Sequence, residues 1–292
     1  MTRASDKRFR AALVQLRSGR DADANVRSAE ALIRRAAEGG AVYVQTPENT
    51  ALMELKPELV LEAAETEEAS APLARFRALA SELGIFLHVG SLAIRLDGTR
   101  VANRSYLIDP EGRIAARYDK LHLFDVDLAG GERYRESDHA RPGATAIVAE
   151  LPFGRLGLSI CYDLRFAALY RALALAGAEF IAVPAAFTKQ TGEAHWHVLL
   201  RARAIETGTF VLAAAQGGFH ENGRSTFGHS LIVSPWGEIL AEGGEEPGVV
   251  FADIDLAASA EARARIPALK HGRDFEVAIA EPLPSSSRKE AS

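Results

Sequence analysis

RLGLSICYDLRF, residues 155–166, holds the only cysteine of the chain, Cys161. The apolar run 155–160 reads as a buried strand. A helical pattern follows through Leu164, Leu169, Leu173 and Ala176, predicting a helix over 164–176. A strand-to-helix turn aims a side chain out of a sheet, toward backbone N–H groups and a helix dipole that stabilise a thiolate. The same residue also suits a buried structural position, because free cysteine packs as a small hydrophobe.

Working outward, the same grammar recurs. Strands are predicted at 10–15, 41–46, 85–90, 180–184, 210–215 and 249–254. Helices are predicted at 25–38, 71–83, 195–206 and 256–265, with Gly39-Gly40, Gly84 and Gly177 as stops. Hairpins are predicted over 106–118, around Asp109-Pro110-Glu111-Gly112, around Pro152-Phe153-Gly154 and around Pro235-Trp236-Gly237. Gly217-Gly218 and Gly243-Gly244 read as turns. This alternation calls for an α/β fold with helices covering both outer faces of β-sheet. Periodicity does not separate one central sheet from two stacked ones.

Two further strand ends carry chemistry-bearing groups. Glu48 directly follows the strand 41–46 in VYVQTPEN, at the edge where α/β enzymes place chemistry. Lys120 closes the hairpin in ARYDKLHLFDVD. Taken singly, Glu48 suits a loop acid or helix cap and Lys120 a surface charge. Together with Cys161 they form a Glu, Lys, Cys set at three strand ends.

With these residues in hand, the chain resembles the nitrilase, or carbon–nitrogen hydrolase, superfamily. The resemblance runs from about Phe9 to Arg273 through PEN, YDKLHLFD, RESDHARPG, GLSICYDLRF, AHWHVLLRARAIET and FGHSLIVSPWGEIL. It is nearest the Nit-type branch of deaminated-glutathione amidase and ω-amidase. It implies a four-layer α-β-β-α sandwich. It also implies a dimer or larger homo-oligomer, Cys161 as nucleophile, Glu48 as general base and Lys120 at the oxyanion. Glu136, in the polar loop YRESDHARPG, matches a second family glutamate that bonds the lysine. The sequence departs from the pattern at Ala167-Ala168, at Glu193 and at His197. Those positions bear on the pocket and the dimer interface.

Substrate-facing candidates are Tyr162, whose N–H suits an oxyanion donor, and Arg165, which suits a substrate carboxylate but equally Asp163 or Glu206. Phe187 and Thr188 follow the strand 180–184. His195, with Trp196, reads as helix packing at the pocket rim. His195 and His197 do not suggest a metal: i and i+2 on a helix point apart, and no carboxylate or cysteine cluster completes a tetrahedron. No cofactor-binding loop is evident.

Composition fits a soluble enzyme: 292 residues, 48% hydrophobic, 25% charged, net charge −5. One domain over 1–292 is expected, with a core at about 9–255 and a C-terminal helix and tail over 256–292. No charge block suggests nucleic acid, no apolar run spans a bilayer, and MTRASDKRFR lacks a signal-peptide core. One cysteine permits no intrachain disulfide, which fits the cytoplasm. The expected function is thiol-dependent hydrolysis of a small carboxylate-bearing amide, deaminated glutathione or a 2-oxoglutaramate-type ω-amide. The alternatives are an N-carbamoyl-amino-acid hydrolase or nitrilase, and a silent scaffold of the same fold.

Overall fold

The computed structural model describes residues 7–128 and 131–280. The C-terminal segment expected over 256–292 therefore lies partly outside the described residues. The chain runs β1 (Arg8–Gln15), α1 (Ala22–Glu38), β2 (Tyr43–Gln45), α2 (Pro57–Ala63), α3 (Ala71–Leu83), β3 (Phe86–Arg95), β4 (Val101–Ile108), β5 (Ile114–Asp119), β6 (Asp125–Asp127) and β7 (Arg133–Arg135). The second half runs β8 (Val148–Leu151), β9 (Gly154–Leu158), α4 (Ala167–Leu175), β10 (Phe180–Ala182), α5 (Lys189–Thr207), β11 (Phe210–Ala213), β12 (Gly217–Phe219) and β13 (Ser225–Phe227). It closes with β14 (Leu231–Val233), β15 (Ile239–Glu242), β16 (Gly248–Asp255), α6 (Ala257–Arg265) and α7 (Ala268–His271).

Two six-stranded sheets result, ordered β16-β1-β2-β3-β4-β5 and β15-β14-β11-β10-β9-β8. Each has a parallel triplet at its centre, β1-β2-β3 and β9-β10-β11, flanked by antiparallel strands. Alternation along β1 shows how the layers stack. Ala11 and Leu13 pack toward the second sheet, with Tyr43, Leu156, Leu158, Phe180 and Leu212. Ala12 and Val14 face the other way, onto Val26, Ala29 and Ile33 of α1 and Phe76 and Leu79 of α3. Leu169 and Leu173 of α4 and Leu200 of α5 cover the far side of the second sheet. The order is helices, sheet, sheet, helices, the four-layer α-β-β-α sandwich.

The α3 boundaries match the expectation, with Ser70 capping the start and Gly84 ending it at φ +63°. Other boundaries differ for physical reasons. Helix does not run over 164–176. Cys161–Arg165 is a 3₁₀ turn, and α4 starts only at Ala167. Asp163 diverts the chain by accepting the Ile160 N–H at 2.9 Å. Helix α5 begins six residues before the expected 195, because the Thr188 side chain caps it. Gly217-Gly218 pairs in the short β12–β13 ribbon rather than forming a turn. Among the described residues no helix is long and apolar enough to cross a membrane.

Candidate active site

Glu48, Lys120 and Cys161 converge at the carboxyl ends of β2, β5 and β9. The Lys120 Nζ donates to Glu48 Oε1 at 2.7 Å and to Glu136 Oε2 at 2.8 Å. Its side chain is only 2% exposed. The Cys161 thiol lies against Glu48, close enough for each group to shift the titration of the other. Asn103 on β4, which the sequence reading missed, donates through Nδ2 to both Glu48 Oε1 at 3.0 Å and Glu136 Oε1 at 2.9 Å. The backbone N–H of Ala186 reaches the other Glu48 oxygen at 3.1 Å, and that of Phe124 reaches Glu136 Oε2 at 2.7 Å. All four expected catalytic positions therefore share one buried cluster.

The backbone around this cluster is shaped for it. Strand β3 carries a bulge between Val89 and Leu92, and its freed groups hold the Pro47-Glu48-Asn49 turn. Gly90 N–H donates to Thr46 Oγ1 at 3.0 Å, Asn49 N–H to Ser91 Oγ at 3.0 Å, and Thr50 N–H to the Ser91 carbonyl at 3.0 Å. Gln216, after β11 in the opposite sheet, donates to the Glu48 carbonyl at 3.0 Å. Asn49 and Cys161 both take left-handed backbone, φ +58° and +49°. That conformation is costly for a residue with a Cβ and is kept where neighbours impose it. For Cys161 the neighbours are Pro184, whose carbonyl accepts its N–H at 2.9 Å, and Asp163. Fully buried Asp163 accepts from the Tyr118 hydroxyl at 2.7 Å and from the His122 N–H at 3.0 Å, and it contacts His122 Nδ1 at 2.6 Å. Tyr118 and His122 bracket Lys120, so Asp163 ties the nucleophile turn to the lysine segment.

The electrostatics disfavour a resting thiolate. Burial, then the Glu48 charge, push the Cys161 thiol well above its ordinary pKa, against the opposing pull of Lys120. Burial also pushes the Glu48 carboxyl up, but the Lys120 charge and the hydrogen bonds from Lys120 and Cys161 outweigh it and hold Glu48 below its usual range. Burial disfavours the Lys120 ammonium, yet the charges of Glu136 and Glu48 hold its pKa above the ordinary value. The resting site is thus a thiol beside a carboxylate and a fixed cation.

The substrate-facing candidates form a second group. Arg165 lies over the rings of Tyr162 (5.9 Å) and Phe187 (5.3 Å), and its Nη1 is 3.3 Å from His195 Nδ1. Among the described residues it has no carboxylate partner: Asp163 is engaged by Tyr118 and His122, and Glu206 by Arg203. His195 is exposed. The packing expected of it is made by Trp196 alone, 1% exposed and 4.9 Å from the Phe187 ring. Thr188 is buried and its hydroxyl is engaged with Thr191 at the start of α5. The cavity beside Cys161 is lined instead by Asn49, Leu52, Tyr134, Arg135 and Arg224, none of them singled out from sequence. Arg224 lies over Tyr134 at 5.1 Å and donates to the Ala186 carbonyl.

Residues 10–264 match the family model described as Carbon-nitrogen hydrolase. The chain belongs to this family. A deaminated glutathione amidase of Yersinia enterocolitica is 41% identical over 270 residues, covering 91% of this chain and 94% of that protein. The NitFhit protein of C. elegans superposes with a TM-score of 0.84 at 37% identity, covering 91% of this chain and 65% of that one. An amidase mutant from Nesterenkonia sp. AN1, which shows covalent addition of the acetamide moiety of fluoroacetamide at its active site cysteine, superposes with a TM-score of 0.76 at 29% identity. That match covers 91% of this chain and 97% of the other. This carbon–nitrogen hydrolase is an amidase of the nitrilase superfamily, acting on carbon–nitrogen bonds other than peptide bonds.

Proposed function

We infer that the enzyme hydrolyses the amide of deaminated glutathione, or a closely related 2-oxo-dicarboxylic ω-amide, through a thioester on Cys161. The observation that carries the mechanism is the buried Glu48 carboxylate, set beside the Cys161 thiol and bonded to the Lys120 ammonium at 2.7 Å. The names of relatives near 40% identity support the substrate class.

Glu48 takes the thiol proton as Sγ attacks the amide carbon. Because the free thiolate is unfavourable in this buried site, proton transfer and attack go together. Two of the three Lys120 protons serve carboxylates; the third serves the developing oxyanion, with the Tyr162 N–H as the second donor. One such donor is typically worth about 3 kcal/mol in the transition state. Glu48 passes its proton to the departing nitrogen, the amine leaves and the thioester remains. Glu48 then deprotonates a water that attacks the thioester, and the acid product leaves with Cys161 restored. Glu136 and Asn103 hold Glu48 and Lys120 in register. Arg165, lying across two aromatic faces without a carboxylate of its own, suits a substrate carboxylate.

The reading includes a cytoplasmic setting, in keeping with the lone thiol, and a homodimer or larger assembly. Exposed Leu175, Val198, Ile205, Trp236 and Ile266 support the assembly. A steady-state screen of deaminated glutathione, 2-oxoglutaramate, glutarate monoamides and N-carbamoyl amino acids tests the substrate. The first two should be preferred by at least about 10²-fold in kcat/KM, since a site that hydrogen-bonds a 2-oxo group leaves polar groups unpaired with analogues that lack it. Preference for a carbamoyl compound or a nitrile would overturn it.

A further inference from the structure

His197 of α5 was expected to lack any carboxylate with which to bind a metal. The fold supplies one, together with a second imidazole. His197 Nε2 lies 2.8 Å from Glu242 Oε1, and His229 Nδ1 lies 2.9 Å from the same oxygen. The three atoms all fall within 4.8 Å of one another. They come from the middle of α5, the segment before β14 and the end of β15. None of the three residues lines the cavity beside Cys161.

We propose that His197, His229 and Glu242 form a binding site for a divalent transition metal of the zinc class, which staples α5 to the β14–β15 hairpin. Two imidazoles and one carboxylate are a donor set that favours such ions over calcium or magnesium. A tetrahedral zinc ion takes its ligands at about 2.0–2.2 Å, which sets neighbouring donors about 3.3 Å apart. The two contacts of 2.8 and 2.9 Å therefore need to open by only about half an ångström, within the reach of side-chain torsions.

The surroundings hold the rings in place. The His229 ring stacks on Phe227 at 4.3 Å and 24°, and His197 meets Phe227 edge-on at 5.9 Å. His229 has φ +54°, rare for a residue with a Cβ. Its carbonyl accepts from Trp196 Nε1 at 2.8 Å and its N–H donates to the Gly244 carbonyl at 2.8 Å. A strained backbone fixed from both sides, which aims a ring at a carboxylate, is the kind of feature that marks a site. The side chains are 33%, 27% and 33% exposed, so water can complete the coordination. Each imidazole now donates its proton to Glu242. On binding, that proton moves to the other ring nitrogen, and no redox partner is needed.

Zinc chloride is titrated into tag-free protein by calorimetry, for the native chain and for His197→Gln, Glu242→Gln and Cys161→Ser. The proposal expects one equivalent per chain, affinity lower by at least about 100-fold in the first two variants, and no change in Cys161→Ser. Saturating zinc should also raise the Tm of the native chain by about 5 °C. No binding below about 100 μM, equal binding by all variants, or loss in Cys161→Ser alone would overturn it; the last would put the ion on the nucleophile. If either ligand variant fails to fold, cobalt(II) bound to the native chain decides. Visible bands of a nitrogen–oxygen site support the proposal, and a thiolate charge-transfer band refutes it.

Discussion

At Cys161, Glu48 and Lys120, catalytic loss and structural loss should separate. Removing the Cys161 sulfur deletes the nucleophile but leaves both charges of the Glu48–Lys120 pair matched. Cys161→Ala and Cys161→Ser should therefore lose at least about 10³-fold in kcat while a urea melt stays within about 1 kcal/mol of the native chain. Lys120→Ala leaves two carboxylates around a buried gap. It should lose comparable turnover and about 3 kcal/mol of stability as well. The double variant Glu48→Gln with Lys120→Ala should lose little more turnover than either alone, because groups that act as a unit are not additive. Strictly multiplied losses in the kinetics, or a fully stable Lys120→Ala in the melt, would contradict the shared site.

Between elements, Gly90 in the β3 bulge is where three segments meet. A Cβ there would sit 2.1 Å from the Thr46 carbonyl oxygen, 2.5 Å from that of Pro47 and 2.5 Å from Pro184 Cβ. Two of these are backbone atoms and the third lies in a rigid ring, so none swings aside. The Thr46–Pro47 segment leads into Glu48, and Pro184 holds the Cys161 N–H. Gly90→Ala should thus push the base and the nucleophile turn apart. We expect kcat lower by about 10²-fold, as for an ångström-scale misplacement, and a stability loss of about 2–3 kcal/mol from overpacking. A Gly90→Ala enzyme with native kcat would mean that the bulge does not set the site.

For the whole molecule, pH and assembly offer two tests. Burial at the heart of the first sheet pushes the His88 imidazole down to about 3 from 6.5. There it bonds the Tyr43 hydroxyl and Ser105 Oγ, both at 2.9 Å. The unfolded chain binds a proton below pH 6.5 while the folded chain does not, so stability falls as pH drops from 6.5 toward 3. The slope is about 1.4 kcal/mol per pH unit for this one group. Between pH 6.5 and 4.5 the native chain should lose about 2.3 kcal/mol more than His88→Gln in matched urea melts; equal losses would assign the acid sensitivity elsewhere. As to assembly, Leu175, Ile205, Trp236 and Ile266 border one groove between α4, α5 and α6, and the tail residues Phe275, Val277 and Ile279 are 84–95% exposed. Apolar exposure on this scale suits an interface, and the proposed assembly would cover it with a second copy of the chain. Trp236→Glu with Ile205→Glu should shift light scattering toward 31.4 kDa and lower activity, because α4 packs just beyond the nucleophile turn. A fully active native monomer at assay concentrations would refute this.

The sequence alone determined the alternation of strands and helices, and it placed Glu48, Lys120 and Cys161, because each follows a strand whose apolar run is local and easily read. Glu136 was legible only through the family pattern. Local periodicity did not decide that two sheets stack, since a buried strand has the same composition in one sheet or two. Nor did it reveal Asn103, Asp163, Gln216 or Arg224. Asn103 is an ordinary strand residue until the fold carries it to Glu48, 55 residues away, and Glu136, 33 away. Gln216 meets the Glu48 carbonyl across 168 residues. How strongly burial disfavours the thiolate was likewise not legible: a helix dipole is written in the nearby sequence, whereas desolvation arises only when distant segments close over Cys161. His197, His229 and Glu242 likewise became a cluster only in three dimensions. Sequence fixes which groups a strand end offers, but only packing of remote segments decides what faces them, because contact and burial are properties of the folded surface rather than of the chain.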